Sequence, residues 1–201
     1  MATRIAVFGD AHALAEALDA VLAAAEEHEV DELWSLGDMI GGGPDPAYVV
    51  ARTRERCRVA LMGNHDYVAT GAVEPERLGP AQASLDLARE QLTDDDVEWM
   101  RHRRPAARRH GVQCWHGGPH NPVWEFVGPR NAAACLAKQR DPLGLVAHTH
   151  VAAAFQEGSR RPHPIVPGEP LQLTGKWLLN PGAVGAPSPA QWLLLDLEAR
   201  T

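Results

Sequence analysis

Apolar and polar positions fall into blocks along this chain, and several blocks end the same way. Ile5 to Phe8 is a short apolar run closed by Gly9-Asp10, the pattern of a buried parallel strand. Leu14, Leu18, Val21, Leu22 and Ala25 then recur at helical spacing in an Ala-rich segment. Leu33 to Leu36 predicts a second strand, closed by Gly37-Asp38. After the loop Gly41-Gly42-Gly43-Pro44, a helix opens at or just after Pro46 and runs to about Arg56. Cys57 to Met62 predicts a third strand, and Gly63 breaks it into a polar turn, Asn64-His65-Asp66. The first third therefore predicts a βαβαβ unit with a parallel sheet.

The pattern continues with helices at Pro80 to Leu92 and from a Thr93 or Asp94 cap to about His102. Arg101 to His110 is basic, contains Pro105, and reads as a solvated connector. Val112 to Trp115 predicts a strand ending at His116-Gly117, Asn131 to Gln139 a helix, and Leu143 to Ala147 a strand ending at His148-Thr149-His150. Short apolar runs follow at Val151 to Gln156, Leu171 to Leu173, Trp177 to Leu179 and Gln191 to Leu197. Separated by Gly and Pro, they predict an antiparallel sheet. The expectation is an α/β chain forming one domain over residues 1–201, with two packed β-sheets and flanking helices.

Composition narrows the function. Hydrophobic residues make up 45% of the 201, which excludes a disordered chain. No apolar run nears the roughly 20 residues that span a bilayer, and the first residues lack a signal-peptide pattern, so the expected location is cytoplasmic, without a membrane. The formal net charge of −7 argues against nucleic acid as a stable partner. Cys57, Cys114 and Cys135 show no CxxC spacing and are expected to be reduced thiols, Cys114 being a weak candidate nucleophile beside His116.

The chemistry sits at the strand ends. Asp10 and His12 follow the first strand, Asp38 the second, Asn64, His65 and Asp66 the third, His116 a later one, and His148 and His150 another. Residues two apart in extended chain project to one side. Mixed oxygen and imidazole donors suit Mn, Fe, Zn, Co or Ni better than Ca or Mg. Seven candidate ligands exceed one tetrahedral ion. Two ions sharing a bridging carboxylate, roughly 3.5–4 Å apart, would use them.

Asp10-Ala-His12, Gly37-Asp38, Gly63-Asn-His-Asp66, His116-Gly and His148-Thr-His150 stand in the order of the motifs of the calcineurin-like metallophosphoesterase superfamily. The resemblance covers almost the whole chain and is closest to the small bacterial capless phosphodiesterases, with Gly43 to Pro46 and Asn180 to Gly182 also matching. It implies a four-layer metallophosphoesterase fold, two mixed sheets in a sandwich between helices. It implies one metal on Asp10, His12, Asp38 and His150 and a second on Asp38, Asn64, His116 and His148, with manganese the first choice. It further implies in-line attack on a phosphodiester by a metal-bridging hydroxide, with His65 as general acid and Asp66 orienting His65. The chain departs from the family at Ala147, where Gly is usual, and at Gly42, where close relatives often carry an aromatic residue.

His120 and Asn121 are candidate substrate contacts in a Gly-Pro-rich loop. Trp124 and Phe126 are either a pocket wall or core, and Asn180 is either a support for a ligand histidine or a turn residue. His28, His102, His110 and His163 read as surface residues. The expected substrate is a small phosphorylated molecule. The alternatives are nucleotide or dinucleoside-polyphosphate hydrolysis, a protein-phosphatase-like activity, and a non-catalytic scaffold of the same fold.

Overall fold

The computed structural model describes residues 4–73, 82–185 and 189–201. Strands β1 (Arg4–Phe8), β2 (Glu32–Ser35) and β3 (Cys57–Ala60) pair in parallel, joined by helices α1 (Ala15–Glu27) and α2 (Pro46–Arg56). This is the expected βαβαβ unit. Asn64–Ala69 forms a six-residue helix, α3, where the sequence predicted only a turn. The Asp66 carboxylate accepts the Gly63 N–H at its start (2.9 Å), which caps the helix.

Helices α4 (Gln82–Gln91) and α5 (Asp94–Arg101) follow; Pro80 and Ala81 of the first prediction lie outside the described residues. Thr93 caps α5 through a reciprocal pair with Asp96. The predicted basic connector is corrected in part: Ala106–Arg109 is a strand, β4, antiparallel to β5 (Val112–Trp115). Its charge hides it, yet Ala107 packs on the core and Arg108 and Arg109 pair with acids, as suits an edge strand.

After α6 (Ala132–Lys138) come β6 (Leu143–Leu145), β7 (Ala153–Gln156), β8 (Trp177–Asn180) and β9 (Leu193–Asp196). The predicted antiparallel sheet is corrected too. β8 is parallel to β6, only β7 is antiparallel to β8, and Leu171–Leu173 forms no strand. β9 leaves for the other sheet, where it pairs antiparallel to β1 with Ile5 opposite Leu195. The two sheets run β3-β2-β1-β9 and β4-β5-β6-β8-β7.

Period-two alternation decides the layers. Ile5, Val7, Trp34 and Leu36 face Cys114, Leu145, Trp177 and Leu179 between the sheets. Ala6, Phe8 and Leu33 turn outward onto Leu18, Val21, Leu22, Val49, Val50 and Met100 of the helices. On the far side, Val146, Phe155 and Leu178 pack on Ala132, Cys135 and Leu136 of α6. The order helix, sheet, sheet, helix is the expected four-layer arrangement. Its parallel strands β1, β2, β3, β5 and β6 deliver their carboxyl ends to the polar turns. No helix among the described residues is long and apolar enough to cross a membrane.

Candidate metal centre

The strand-end turns are stitched together by their backbones. Asp10 N–H donates to Gly37 O (2.9 Å), His12 N–H to Asp38 O (3.0 Å), and Ala147 N–H to His116 O (2.9 Å). Asp10, His12, Asp38, His148 and His150 all hold left-handed backbone, with φ between 49° and 66°. Such residues cost of order 1–3 kcal/mol each and cluster at functional sites. Gly37 (φ 100°) permits a close approach of two of these turns: a Cβ there would lie 2.6 Å from Gly63 N.

The seven predicted ligands converge. Asp38 Oδ2 lies 3.9 Å from His12 Nε2 and 3.6 Å from His116 Nε2, so it stands between two groups. In one group, His12 Nε2 is 2.9 Å from His150 Nε2, and His150 Nε2 is 3.6 Å from Asp10 Oδ1. In the other, His116 Nε2 is 3.0 Å from Asn64 Oδ1, and ligand-type atoms of Asp38, His116 and His148 lie within 4.8 Å of one another. A third such grouping joins His65 to His12 and Asp38.

The fit to cations follows from what these atoms lack. With Nδ1–H donating to Leu36 O (2.9 Å), His116 presents a lone pair at Nε2, facing Asn64 Oδ1 and Asp38 Oδ2. His12 does the same through Ile40 O (3.2 Å). Acceptors thus face acceptors. Among the described residues, Asp10 Oδ1 and His148 Nε2 are buried without a hydrogen-bond partner. Burial, with Asp66 beside them, pushes Asp10 and Asp38 well above the usual carboxylate range, and Asp10 adds to the rise of Asp38. Burial lowers His12 to about 3 and His148 to about 4. Buried carboxyl oxygens without a counter-charge and imidazoles held neutral are a donor set that fits divalent ions.

His65 stands beside this set, its ring edge-on to His12 at 4.8 Å. Its backbone N–H binds Asp38 Oδ1 (2.9 Å), and its buried Nδ1 has no hydrogen-bond partner among the described residues. The expectation that Asp66 orients His65 is corrected. Both Asp66 oxygens accept backbone N–H groups, from Gly63 (2.9 Å) and Ile40 (3.2 Å), because the carboxylate is buried under α3. Asp66 therefore ties the Asp38 loop to the Asn64–His65 helix.

A cavity of about 600 Å³ opens on the site, lined by His12, Gly41, Gly42, Gly43, His65 and His150, with Ala83 and Ser84 of α4 opposite. Gly41, which sequence reading passed over for Gly42, is the tighter of the two. It holds φ 97°, and a Cβ there would overlap the His65 ring. Its only signal was the run of three glycines.

His120 and Asn121 do not line this cavity. His120 pairs with Glu125, and Asn121 Oδ1 accepts the N–H groups of Val123 and Trp124. Phe126 is 65% exposed and stacks on His148 at 4.0 Å, so it walls the site. Asn180 binds Ala147 O and Thr149 Oγ1, which supports the backbone between the ligand histidines rather than a ring. Cys114 lies in the core, its thiol pushed up by burial, and is no nucleophile.

The fold is shared with known proteins. The chain superposes on a metallophosphoesterase from Sphaerobacter thermophilus with a TM-score of 0.89 at 31% identity, covering 100% of this chain and 86% of that one. An uncharacterized protein of Methanocaldococcus jannaschii is 27% identical over 191 residues, 91% of this chain and 76% of its own length. A symmetrical bis(5'-nucleosyl)-tetraphosphatase of an Acidovorax species is 38% identical over 94 residues, 44% of this chain and 31% of its own. Residues 3–200 match the model of the calcineurin-like phosphoesterase superfamily domain. The chain belongs to that metal-dependent superfamily of phosphate-ester hydrolases.

Proposed function

We propose that the protein is a dinuclear metal-dependent phosphoesterase acting on phosphodiesters. The carrying observation is the position of Asp38 Oδ2 between two groups of inward-facing acceptors. Asp10, His12, Asp38 and His150 hold one ion, and Asp38, Asn64, His116 and His148 the other, manganese being the first choice. Divalent ions in such a pair lower the pKa of water and offset charge on the attacking and leaving oxygens.

The chain's own residues supply the rest. Leu36 O and Ile40 O fix the histidine tautomers. Asp66 holds the two ligand loops in register. His65 gives a proton to the leaving oxygen as the phosphorus–oxygen bond breaks. Burial, with His150 beside it, lowers His65 to about 4 in the ligand-free site. The negative charge of a bound phosphate ester favours its imidazolium form.

The test is hydrolysis of bis-p-nitrophenyl phosphate against p-nitrophenyl phosphate by protein stripped of metal and reloaded with manganese. Diester turnover should require metal, and His65→Ala should bind the same metal equivalents while losing ~10²–10⁴ in rate. Unchanged turnover would remove His65 from the mechanism. Turnover on the monoester alone would make the protein a phosphatase. A second reading, dinucleoside-polyphosphate hydrolysis, draws on the similarity to the Acidovorax tetraphosphatase. Adding a dinucleoside tetraphosphate to the substrate panel separates the two.

A further inference from the structure

A second cluster of ligand-type side chains lies on the loop that follows β5. Glu125 Oε2 accepts the backbone N–H groups of His120 (2.9 Å) and Asn121 (3.3 Å). Its other oxygen, Oε1, receives three side chains at once: His120 Nδ1 at 3.1 Å, Cys135 Sγ at 3.3 Å and Asn131 Nδ2 at 3.2 Å. Cys135 comes from α6 and is wholly buried. Its sulfur is 3.9 Å from His120 Nδ1, which closes a triangle of nitrogen, oxygen and sulfur.

The dimensions of that triangle are informative. Zinc bonds of about 2.3 Å to sulfur and 2.0–2.2 Å to nitrogen and oxygen put tetrahedral ligands roughly 3.3–3.6 Å apart. The three observed edges of 3.1, 3.3 and 3.9 Å lie close to that range. The Glu125 side chain is 13% exposed and that of His120 46%, so the cluster meets solvent only on the His120 side. Three protein ligands with one open direction are the arrangement of a metal site that keeps a water or an exchangeable ligand. A carboxylate, an imidazole and a thiolate together select zinc, cobalt or nickel over magnesium or calcium. The strand-end cluster contains no sulfur, so the two sites differ in softness.

We propose that His120, Glu125 and Cys135 form a separate mononuclear site for a zinc-class cation, which locks the loop that seats Phe126 on His148. Glu125 immediately precedes Phe126, and Asn131 Nδ2 joins Glu125 Oε1 to Phe126 O (3.1 Å). Fixing Glu125 therefore fixes the aromatic wall of the strand-end site. The site stands on these residues alone and not on the function proposed above. Charge balances without redox change. The cation replaces the thiol proton of Cys135, which leaves to solvent, and His120 binds through Nδ1 with its remaining proton on Nε2. Burial, with Glu125 beside it, pushes the Cys135 thiol up to about 12, so that proton is present to be released at neutral pH.

The test is a cobalt titration of the full chain after chelator treatment. A thiolate-to-cobalt charge-transfer band should appear in the near ultraviolet and be bleached by zinc. Cys135→Ser should lose the band and hold one metal equivalent fewer than the parent. His120→Ala, altered at a half-exposed position, should keep its fold and weaken the band's apparent affinity by more than about 10-fold. No band in the parent, or equal metal content in parent and Cys135→Ser, would overturn the proposal. So would a band that survives Cys135→Ser and disappears in Cys114→Ser. Manganese-dependent diester turnover is read in a different assay, so failure of one reading leaves the other intact.

Discussion

Strand β2 carries an acid at each end of its run, and the two have opposite fates. Glu32, at its start, receives a two-pronged ion pair from Arg109 and a hydrogen bond from Trp34 (2.8 Å). The Arg109 hydrogen bonds lead in holding Glu32 down at about 2. Asp141, before β6, is gripped in the same way by Arg108 at 2.7 Å through both oxygens. Beyond the carboxyl ends of β1, β2 and β3 lie Asp10, Asp38 and Asp66. Among the described residues none of these three pairs with an arginine or lysine, and burial pushes each of them up, Asp66 to about 7. The acids at the starts of the strands are completed by the protein itself. Those past the ends are completed only by something added.

Neutralising one uncompensated acid would break this contrast most sharply. Asp38→Asn should lose more than the ~10²–10³-fold that removal of a single electrostatic stabiliser costs. The same change should raise the melting temperature of chelator-treated protein, because the cost of burying a carboxyl with a raised pKa, met by charge or by proton uptake, is gone; differential scanning calorimetry checks it. A lower melting temperature would show that the Asp38 charge is already satisfied.

Next in size is the pH dependence of stabilisation by metal. Where the metal-free native state holds Asp10, Asp38 and Asp66 protonated, it binds more protons than the unfolded chain, so this contribution to stability falls as pH rises. His12, lowered to about 3, and His148, lowered to about 4, act oppositely, and their contribution is lost as pH falls below 6.5. Above pH 5 these two are neutral with or without metal, and the carboxyl protons compete with a cation. The rise in melting temperature on adding manganese should therefore be larger at pH 8 than at pH 5. An equal rise at both would refute the raised carboxyls.

The smallest effect belongs to the other end. Arg109→Met should lower the melting temperature by a few degrees at pH 7, where about 2–4 °C corresponds to 1 kcal/mol in a chain of this size, and leave turnover intact. Since the pair holds Glu32 below its ordinary value of 4.5, its contribution is present above that pH and is lost as pH falls towards about 2. The deficit of the variant should shrink over that window.

The ligand end was the more legible in sequence, for a physical reason. Each turn there joins an apolar run to Gly, Asp, Asn or His, and the strand places its end without help from distant residues. The arginine-paired end was obscure because Arg108 and Arg109 gave β4 the composition of a connector. The partner of β9 was equally hidden, since nothing local distinguishes pairing with β1 from pairing with β8. Helix α3 was missed because its first turn, Asn64-His65-Asp66, has turn composition until the Asp66 carboxylate caps it. Glu125 and Cys135 carried no motif spacing, and only the packing of α6 beneath the loop brings them to His120.

The crossing of β9 to β1 has a kinetic consequence. Val184 N–H donates to Gly9 O (3.1 Å) and Gly185 N–H to Asp10 O (2.8 Å), on the segment that leads into β9. The turn that presents Asp10 is thus clasped by residues from the opposite end of the sequence. Pairings of such long separation are costly to close and slow to form. The clasp on the first ligand in the chain therefore closes only once the segment from the far end of the sequence has docked.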